Sequence, residues 1–329
     1  MLIGVQTEVR DYIGSKTLYM HNALTAAGIS TVIYDKDSTL DPPPGVTHSI
    51  FLPWIQYFDS DWADFFKSFR ARQILYTDNY NWFTQCNKNL LQAKKVDMEE
   101  AFNVIAFASS EGMRWWPKGR FSYWGGLVDE DVAVAKPPED YIYIDQIWPN
   151  EWAKGQWNAD KVIELAAKEI KARTGLALVT QQADAKKSEF SKVNTEWADQ
   201  FVDDRVDIEH MLSVIAGARA FVTSHEEALG MMQLEALTCG VPVVTNANFS
   251  KLEITNKVTD GIFTWDWPKK ADVENSTSEE PINYEECAES LVSAITNALD
   301  NSDRQAIRDQ AIVAFGKEAF IERTGLLLD

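Results

Sequence analysis

Residues 224–244 read Ser-His-Glu-Glu-Ala-Leu-Gly-Met-Met-Gln-Leu-Glu-Ala-Leu-Thr-Cys-Gly-Val-Pro-Val-Val and concentrate the chain's chemistry-bearing groups. Two carboxylates, Glu227 and Glu235, stand eight positions apart with Gly230 between them. Residues 220–223 are β-rich, and 231–238 carry apolar side chains at helical spacing. Gly240 stops that helix, and Val243-Val244 restarts a strand. A strand end, a glycine-containing loop and a helix thus follow one another. The first backbone N–H groups of such a helix, those of Gly230 and Met231, favour an anion. Glu235, in the second turn, is placed to accept hydrogen bonds from vicinal hydroxyls. Glu227, in the loop, is placed to do the same one ring further out. A diphosphate over the helix start and one carboxylate for each of two sugar rings describe a nucleotide sugar.

Elements that would position these groups alternate strand and helix along the chain, which argues for parallel sheets flanked by helices. Strands are expected at 2–6, 31–34, 48–52, 74–76 and 103–108, with helices at 16–27, closed by Gly28, and at 61–70. The run Lys136-Pro-Pro-Glu-Asp140 is the best linker. After it the pattern repeats: strand 141–144, helix 159–172, strand 176–180, helix 208–216 and then the unit around Glu235. Residues 271–281, acidic and serine-rich, read as a surface loop. Helices at 284–299 and 304–322 finish the chain.

The 224–244 segment resembles the donor-site signature of retaining GT-B glycosyltransferases of the large glycosyltransferase-4 group, S-x-x-E-G-F-G-L-x-x-L-E-A-M-A-C-G-T-P-V-V. Ser224, Glu227, Gly230, Leu234, Glu235, Ala236, Cys239, Gly240, Pro242, Val243 and Val244 fall on it without a gap. Glu253 stands at the spacing of a further family glutamate, although Phe249-Ser250 replace the usual Gly-Gly pair. The resemblance implies an α/β protein of GT-B architecture, two doubly wound Rossmann-like parallel-sheet domains facing a cleft. Residues 1–138 would form the acceptor-side domain and 139–303 the domain for the nucleotide-sugar donor. Residues 304–329 would form a C-terminal helix packing back on the first domain. No metal and no cofactor is implied, the UDP- or GDP-sugar being a substrate.

Departures from the family pattern single out other positions. A Lys-Gly that grips the diphosphate is expected after strand 141–144, and Lys154-Gly155 stands there. The family's preceding Arg is missing, so Arg205 or Lys251 is a candidate second cation. Where relatives often carry a His after the fourth strand, this chain has Asp78-Asn79. Either residue would meet a donor sugar hydroxyl, and Asp78 has the chemistry of a base for the acceptor hydroxyl. A turn or helix cap explains the pair equally well. Gly14-Ser-Lys-Thr17 is no P-loop, since the Gly-Lys-Ser/Thr order is broken. As a helix start, though, the Gly14 N–H and the Ser15 hydroxyl are candidate contacts to donor phosphate or acceptor. His225, inside the signature loop, is not a position that the pattern fixes.

Composition bounds the rest. The chain of 329 residues is long enough for two domains and carries a net charge of −19. Residues 1–138 hold 13 Lys and Arg against 16 Asp and Glu, a balance of −3, and the remainder holds 18 against 34, or −16. So acidic a second half repels polyanions and argues against non-specific nucleic-acid binding there, a bar that the first half does not carry. Three cysteines and four histidines show neither a disulfide framework nor metal-ligand spacing. Reduced thiols, no apolar run of membrane-spanning length and no secretory signal lead to the expectation of a cytoplasmic protein without an integral membrane segment. Nine of the twelve tryptophans fall in the first 157 residues, several near Arg114, Lys118 and Arg120. Aromatic faces suit sugar rings and, beside cations, unstacked bases; packing in a core is the other explanation for each of them. The expected acceptor is a glycan, lipid or protein hydroxyl. A hydroxymethylated base in DNA, glycosylated as by some bacteriophage enzymes, is an alternative. A nucleotide-sugar epimerase or a non-catalytic nucleotide-sugar-binding protein would also use the same donor site.

Overall fold

The structure is a computed structural model. It describes residues 1–6, 14–34, 43–52, 72–77, 102–108, 121–145, 159–182, 195–203, 207–223, 230–246, 253–266 and 283–325. The chain divides into two compact units, Met1–Glu130 with Ile312–Asp329, and Asp131–Ala311. The helix expected at 61–70 lies outside the described residues, as does the loop expected at 271–281.

In the first unit, β1 (Leu2–Gln6), β2 (Ser30–Tyr34), β3 (His48–Phe51), β4 (Arg72–Thr77), β5 (Val104–Phe107) and β6 (Phe121–Tyr123) form one sheet of order β2-β1-β3-β4-β5-β6. Every pairing is parallel. A parallel sheet needs crossovers that cover both of its faces, which is why Ile3, Val5, Ile50, Ile74, Leu75 and Ile105 are all buried. Helix α1 (Ser15–Ala26) follows β1 and ends where Gly28 turns to φ +78°. There the Gly28 N–H bonds the Thr25 carbonyl at 2.9 Å and the Ile29 N–H bonds Leu24 at 3.0 Å, the paired bonds that close a helix through a left-handed residue. Strand order reverses between β1 and β3, so the chain leaves β1 at a switch point.

The second unit contains β7 (Tyr141–Ile144), α2 (Ala159–Thr174), β8 (Ala177–Gln182), β9 (Gln200–Asp203), α3 (Ile208–Gly217), β10 (Phe221–Val222), α4 (Met231–Thr238), β11 (Val243–Asn246), α5 (Glu253–Lys257), β12 (Ile262–Trp265) and α6 (Tyr284–Asn301). Its sheet, β12-β11-β10-β7-β8-β9, is again wholly parallel. Counted from β7 within the unit, this is the order 3-2-1-4-5-6 of a doubly wound fold, with its switch point between β7 and β10. Ile142, Ile144, Leu178, Val222 and Val244 pack on one face against α2 and α6. On the other, Tyr143 and Phe221 stack with ring centroids 5.6 Å apart, and the Tyr143 hydroxyl reaches Met211 Sδ on α3 at 3.7 Å.

Two corrections to the expected elements have plain causes. Strands β6, β9 and β12 were not expected, and all three lie at sheet edges. On β9, Gln200–Asp203, only two of the four residues are apolar, and Phe201 is 47 % exposed. The helix expected over 304–322 is broken at Gly316 into α7 (Arg304–Phe315) and α8 (Lys317–Arg323). Gly316 is extended at ψ 170°, and the Lys317 N–H that opens α8 is bound at 3.0 Å by the Glu130 carboxylate. A side chain at 316 would meet the Ile312 carbonyl at 2.6 Å. Helix α8 is then held in the first unit by the buried ion pair of Lys317 Nζ with Asp129 at 2.6 Å, where Asn22 also donates to Asp129 at 2.6 Å. Arg323 donates to the carbonyls of Trp124, Gly126 and Ala314.

Candidate functional site

Around α4 the local structure follows from glycine. Gly230 caps the helix in the left-handed region (φ +61°, ψ 83°), where a Cβ would be strained and would lie 2.7 Å from the Gln233 side chain. It offers no side-chain cap, so it satisfies none of the first-turn N–H groups that begin at Met231. Those groups carry the positive end of the helix dipole. At the other end Gly240 (φ +77°) closes α4 through the bonds Gly240 N–H to Leu237 and Val241 N–H to Ala236. The guanidinium of Arg308 donates to the Thr238 carbonyl and, at 2.7 Å, to that of Ala133. Arg304 does the same for α3, donating to Ala216 and Ala218 at 2.7 Å each. Two arginines of α7 therefore cap the carboxyl ends of α3 and α4. Sequence reading missed both; arginines spaced four apart on one helix were the available signal.

Glu235 is buried in the second turn of α4, only 5 % exposed. Its surroundings are visible in its neighbours' acidities. Burial, then the carboxylates of Asp145 and Glu235, holds the Tyr143 phenol well above its ordinary range. Burial, then Glu235, pushes the Cys239 thiol up to about 12. Asp145, the residue that follows β7, is equally buried at 5 %. Thr223, the residue that follows β10, is 2 % exposed, and its hydroxyl has no hydrogen-bond partner. Neither was expected as a site residue. Their signal was a polar residue ending an apolar strand, at the edge where doubly wound sheets bind ligands.

Of the residues singled out from the sequence, Gly230, Met231 and Glu235 come together at α4 in the second unit. Gly14 and Ser15 open α1 in the first: Gly14 is the N-cap, extended at ψ 164° and with no side-chain cap, and Ser15 is half-buried. Glu253 opens α5. Ser224, Glu227, Lys154, Arg205 and Asp78 lie outside the described residues, as do Asn79, Lys251, His225, Arg114, Lys118 and Arg120. In the chain, Lys154 follows β7 and Glu227 follows β10, the two strands that flank the second unit's switch point. Trp124, Trp197 and Trp265 are buried core residues rather than ligand platforms. Trp124 packs with Tyr76 and Phe320 at about 6 Å.

Among the described residues no group of three His, Cys, Asp or Glu is placed to hold a metal ion. The carboxylate of Asp129, in the triplet Asp129-Glu130-Asp131, is taken up by Lys317 and Asn22. Among the described residues, too, no helix is long and apolar enough to cross a membrane.

No protein-family model matches the chain, and no curated protein matches it by sequence. Solved structures do match over its whole length. Sucrose-phosphate synthase from Thermosynechococcus elongatus is similar with a TM-score of 0.64 at 15 % identity, over 99 % of this chain and 98 % of that one. HepE from Anabaena, in complex with UDP and glucose, has a TM-score of 0.64 at 11 % identity, over 100 % and 99 % of the two chains. WaaG, a glycosyltransferase involved in lipopolysaccharide biosynthesis, has a TM-score of 0.58 at 13 % identity, over 99 % and 100 %. At such identities the likeness establishes the fold. The chain has the GT-B fold, an α/β architecture of two Rossmann-like parallel-sheet domains.

Proposed function

We propose that this protein is a retaining glycosyltransferase that moves a sugar from a nucleotide-diphosphate donor to an acceptor hydroxyl. The observation that carries the reading is where the 224–244 signature falls. Its glycine and second glutamate belong to a helix that follows a strand at the switch point of a doubly wound sheet, with no side-chain cap from Gly230 at one end and a buried carboxylate one turn in. A solved structure of the same fold holds UDP and glucose, and another is a glycosyltransferase, which supports the choice of ligand and of reaction.

In this reading Glu235 accepts the ribose hydroxyls and Glu227 the hydroxyls of the transferred sugar. The Gly230 and Met231 N–H groups, Lys154 and Ser224 stabilise the diphosphate, with Arg205 or Lys251 as a second cation. Asp78 or Asn79, with Gly14 and Ser15, serves the first-domain side of the reaction. The bond from the anomeric carbon to the donor phosphate oxygen breaks with its electron pair on the diphosphate. The acceptor oxygen bonds the same face of that carbon, and its proton passes to the departing phosphate oxygen. Retention follows from attack on the face that the leaving group vacates, and no metal is required. A glycan, lipid or protein hydroxyl is the preferred acceptor, because an acidic chain of net charge −19 repels a DNA backbone.

A thermal-shift screen of UDP-, GDP- and ADP-sugars tests the reading, followed by donor turnover with and without candidate acceptors and by NMR of the product anomer. Stabilisation by a nucleotide sugar and acceptor-dependent transfer with retained configuration are expected. Release of an epimerised sugar without any acceptor would make the protein an epimerase instead. Binding without turnover would make it a sensor.

A further inference from the structure

We propose that Thr223 is a specificity-determining contact of the nucleotide-sugar site, its hydroxyl hydrogen-bonding a hydroxyl of the bound ligand at the carboxyl edge of the sheet. The inference rests on the donor-site reading above and adds to it a residue outside the signature.

Register places Thr223. Phe221 and Val222 pair with Tyr143 and Ile144 on one side and with Val243 and Val244 on the other. The bonds from the Asp145 N–H to Val222 and from the Thr223 N–H to Val244, both 2.9 Å, carry that register one residue further. Asp145, Thr223 and Thr245 therefore form a row across three neighbouring strands. Side chains two apart on a strand share a face, so the row lies on the face of Tyr143 and Phe221, the face covered by α3 and α4. All three residues are buried. Asp145 and Thr223 thus follow the two strands that flank the switch point, with Thr245 beside them inside β11, on the face of the sheet that α4 covers.

A buried hydroxyl without a partner is costly, and four such groups occur among the described residues: the Trp124 and Trp265 ring N–H groups and the Thr238 and Thr223 hydroxyls. Trp124 packs in the first unit's aromatic cluster, Trp265 in the second unit's core, and Thr238 at the far end of α4. Thr223 alone of the four stands at the ligand-binding edge of the second sheet. Its chemistry selects the part of the ligand it meets. A carboxylate, Asp145, is its neighbour in the row, and Glu235 faces the same Tyr143. A threonine hydroxyl is neutral and both donates and accepts a hydrogen bond, which matches a ring hydroxyl.

The full chain and its Thr223→Val and Thr223→Ser variants are titrated by calorimetry with UDP-glucose and with GDP-mannose, and inorganic pyrophosphate is used as a competitor. Thr223→Val should weaken the nucleotide sugar that binds by about 3- to 10-fold, the worth of one hydrogen bond, and Thr223→Ser should stay within about twofold. Pyrophosphate binding should be unchanged. The melting temperature of Thr223→Val should hold or rise, because a methyl replaces an orphan hydroxyl. Unchanged nucleotide-sugar affinity in Thr223→Val, or a lowered melting temperature with it, would overturn the inference and leave the donor-site reading standing. Weakened pyrophosphate would overturn the assignment to a hydroxyl. Failure of the wild-type chain to bind either nucleotide sugar would overturn both.

Discussion

A Cβ on Gly240 would lie 2.4 Å from the carbonyl oxygen of Arg304, so the turn after α4 and the first residue of α7 meet backbone against backbone. From that contact Arg304 reaches the carboxyl end of α3, and Arg308, one turn on, reaches that of α4. The helix bearing Glu235 is therefore positioned from its carboxyl end.

That contact makes Gly240→Ala a severe change. The left-handed backbone costs a side chain about 1–2 kcal/mol, and forcing α7 away adds about 1–3 kcal/mol. Denaturant unfolding should report a loss in the range of about 2–5 kcal/mol; an unshifted midpoint would show that α7 can move aside freely.

Lys317→Met should also destabilise, by about 3–5 kcal/mol, since it takes the ammonium away from the buried Asp129 carboxylate. Combining it with Asp129→Asn should recover most of the loss. Two losses that simply add would mean that the pair is not coupled.

At the proposed donor site, Glu235→Ala should weaken UDP or GDP binding by about 1–3 kcal/mol, the cost of leaving ligand hydroxyls without an acceptor. Calorimetry on the folded variant is the measurement, and unaltered nucleotide affinity removes Glu235 from the site.

Glu227→Ala should act differently. It should lower turnover strongly while nucleotide binding stays nearly intact, because the Glu227 carboxylate is proposed to meet the transferred sugar. Comparing kcat with the nucleotide Kd separates the two roles, and equal losses in both would contradict the division.

Cys239 predicts a pH dependence. Burial, then Glu235, raises its thiol from an ordinary value near 9 to about 12 in the folded protein. Between those values the unfolded chain holds fewer protons than the folded one, so stability present below pH 9 is lost as pH rises toward 12. Melting temperatures from pH 8 to pH 11 should fall more steeply for the wild type than for Cys239→Ala, with buried tyrosines contributing equally to both. Parallel slopes would mean that the thiol does not sense its burial.

Sequence alone determined the alternation of strand and helix, the start of α4 at Gly230 and its end at Gly240. Each is written in local chemistry: apolar strands for a sheet covered on both faces, glycine where φ turns positive. Of the missed edge strands, β6 and β9 are three and four residues long and mix polar with apolar residues, so they carry little pattern. Gly316 did not announce a break, since a lone glycine is tolerated in a helix; at the break the Lys317 N–H is taken by the Glu130 carboxylate, 187 positions before Lys317 in the chain. The arginine caps, the Asp129–Lys317 pair and the row of Asp145, Thr223 and Thr245 were likewise decided by tertiary structure. A capping partner or a neighbour across a sheet is set by strand order and register, and neither exists until the chain has folded.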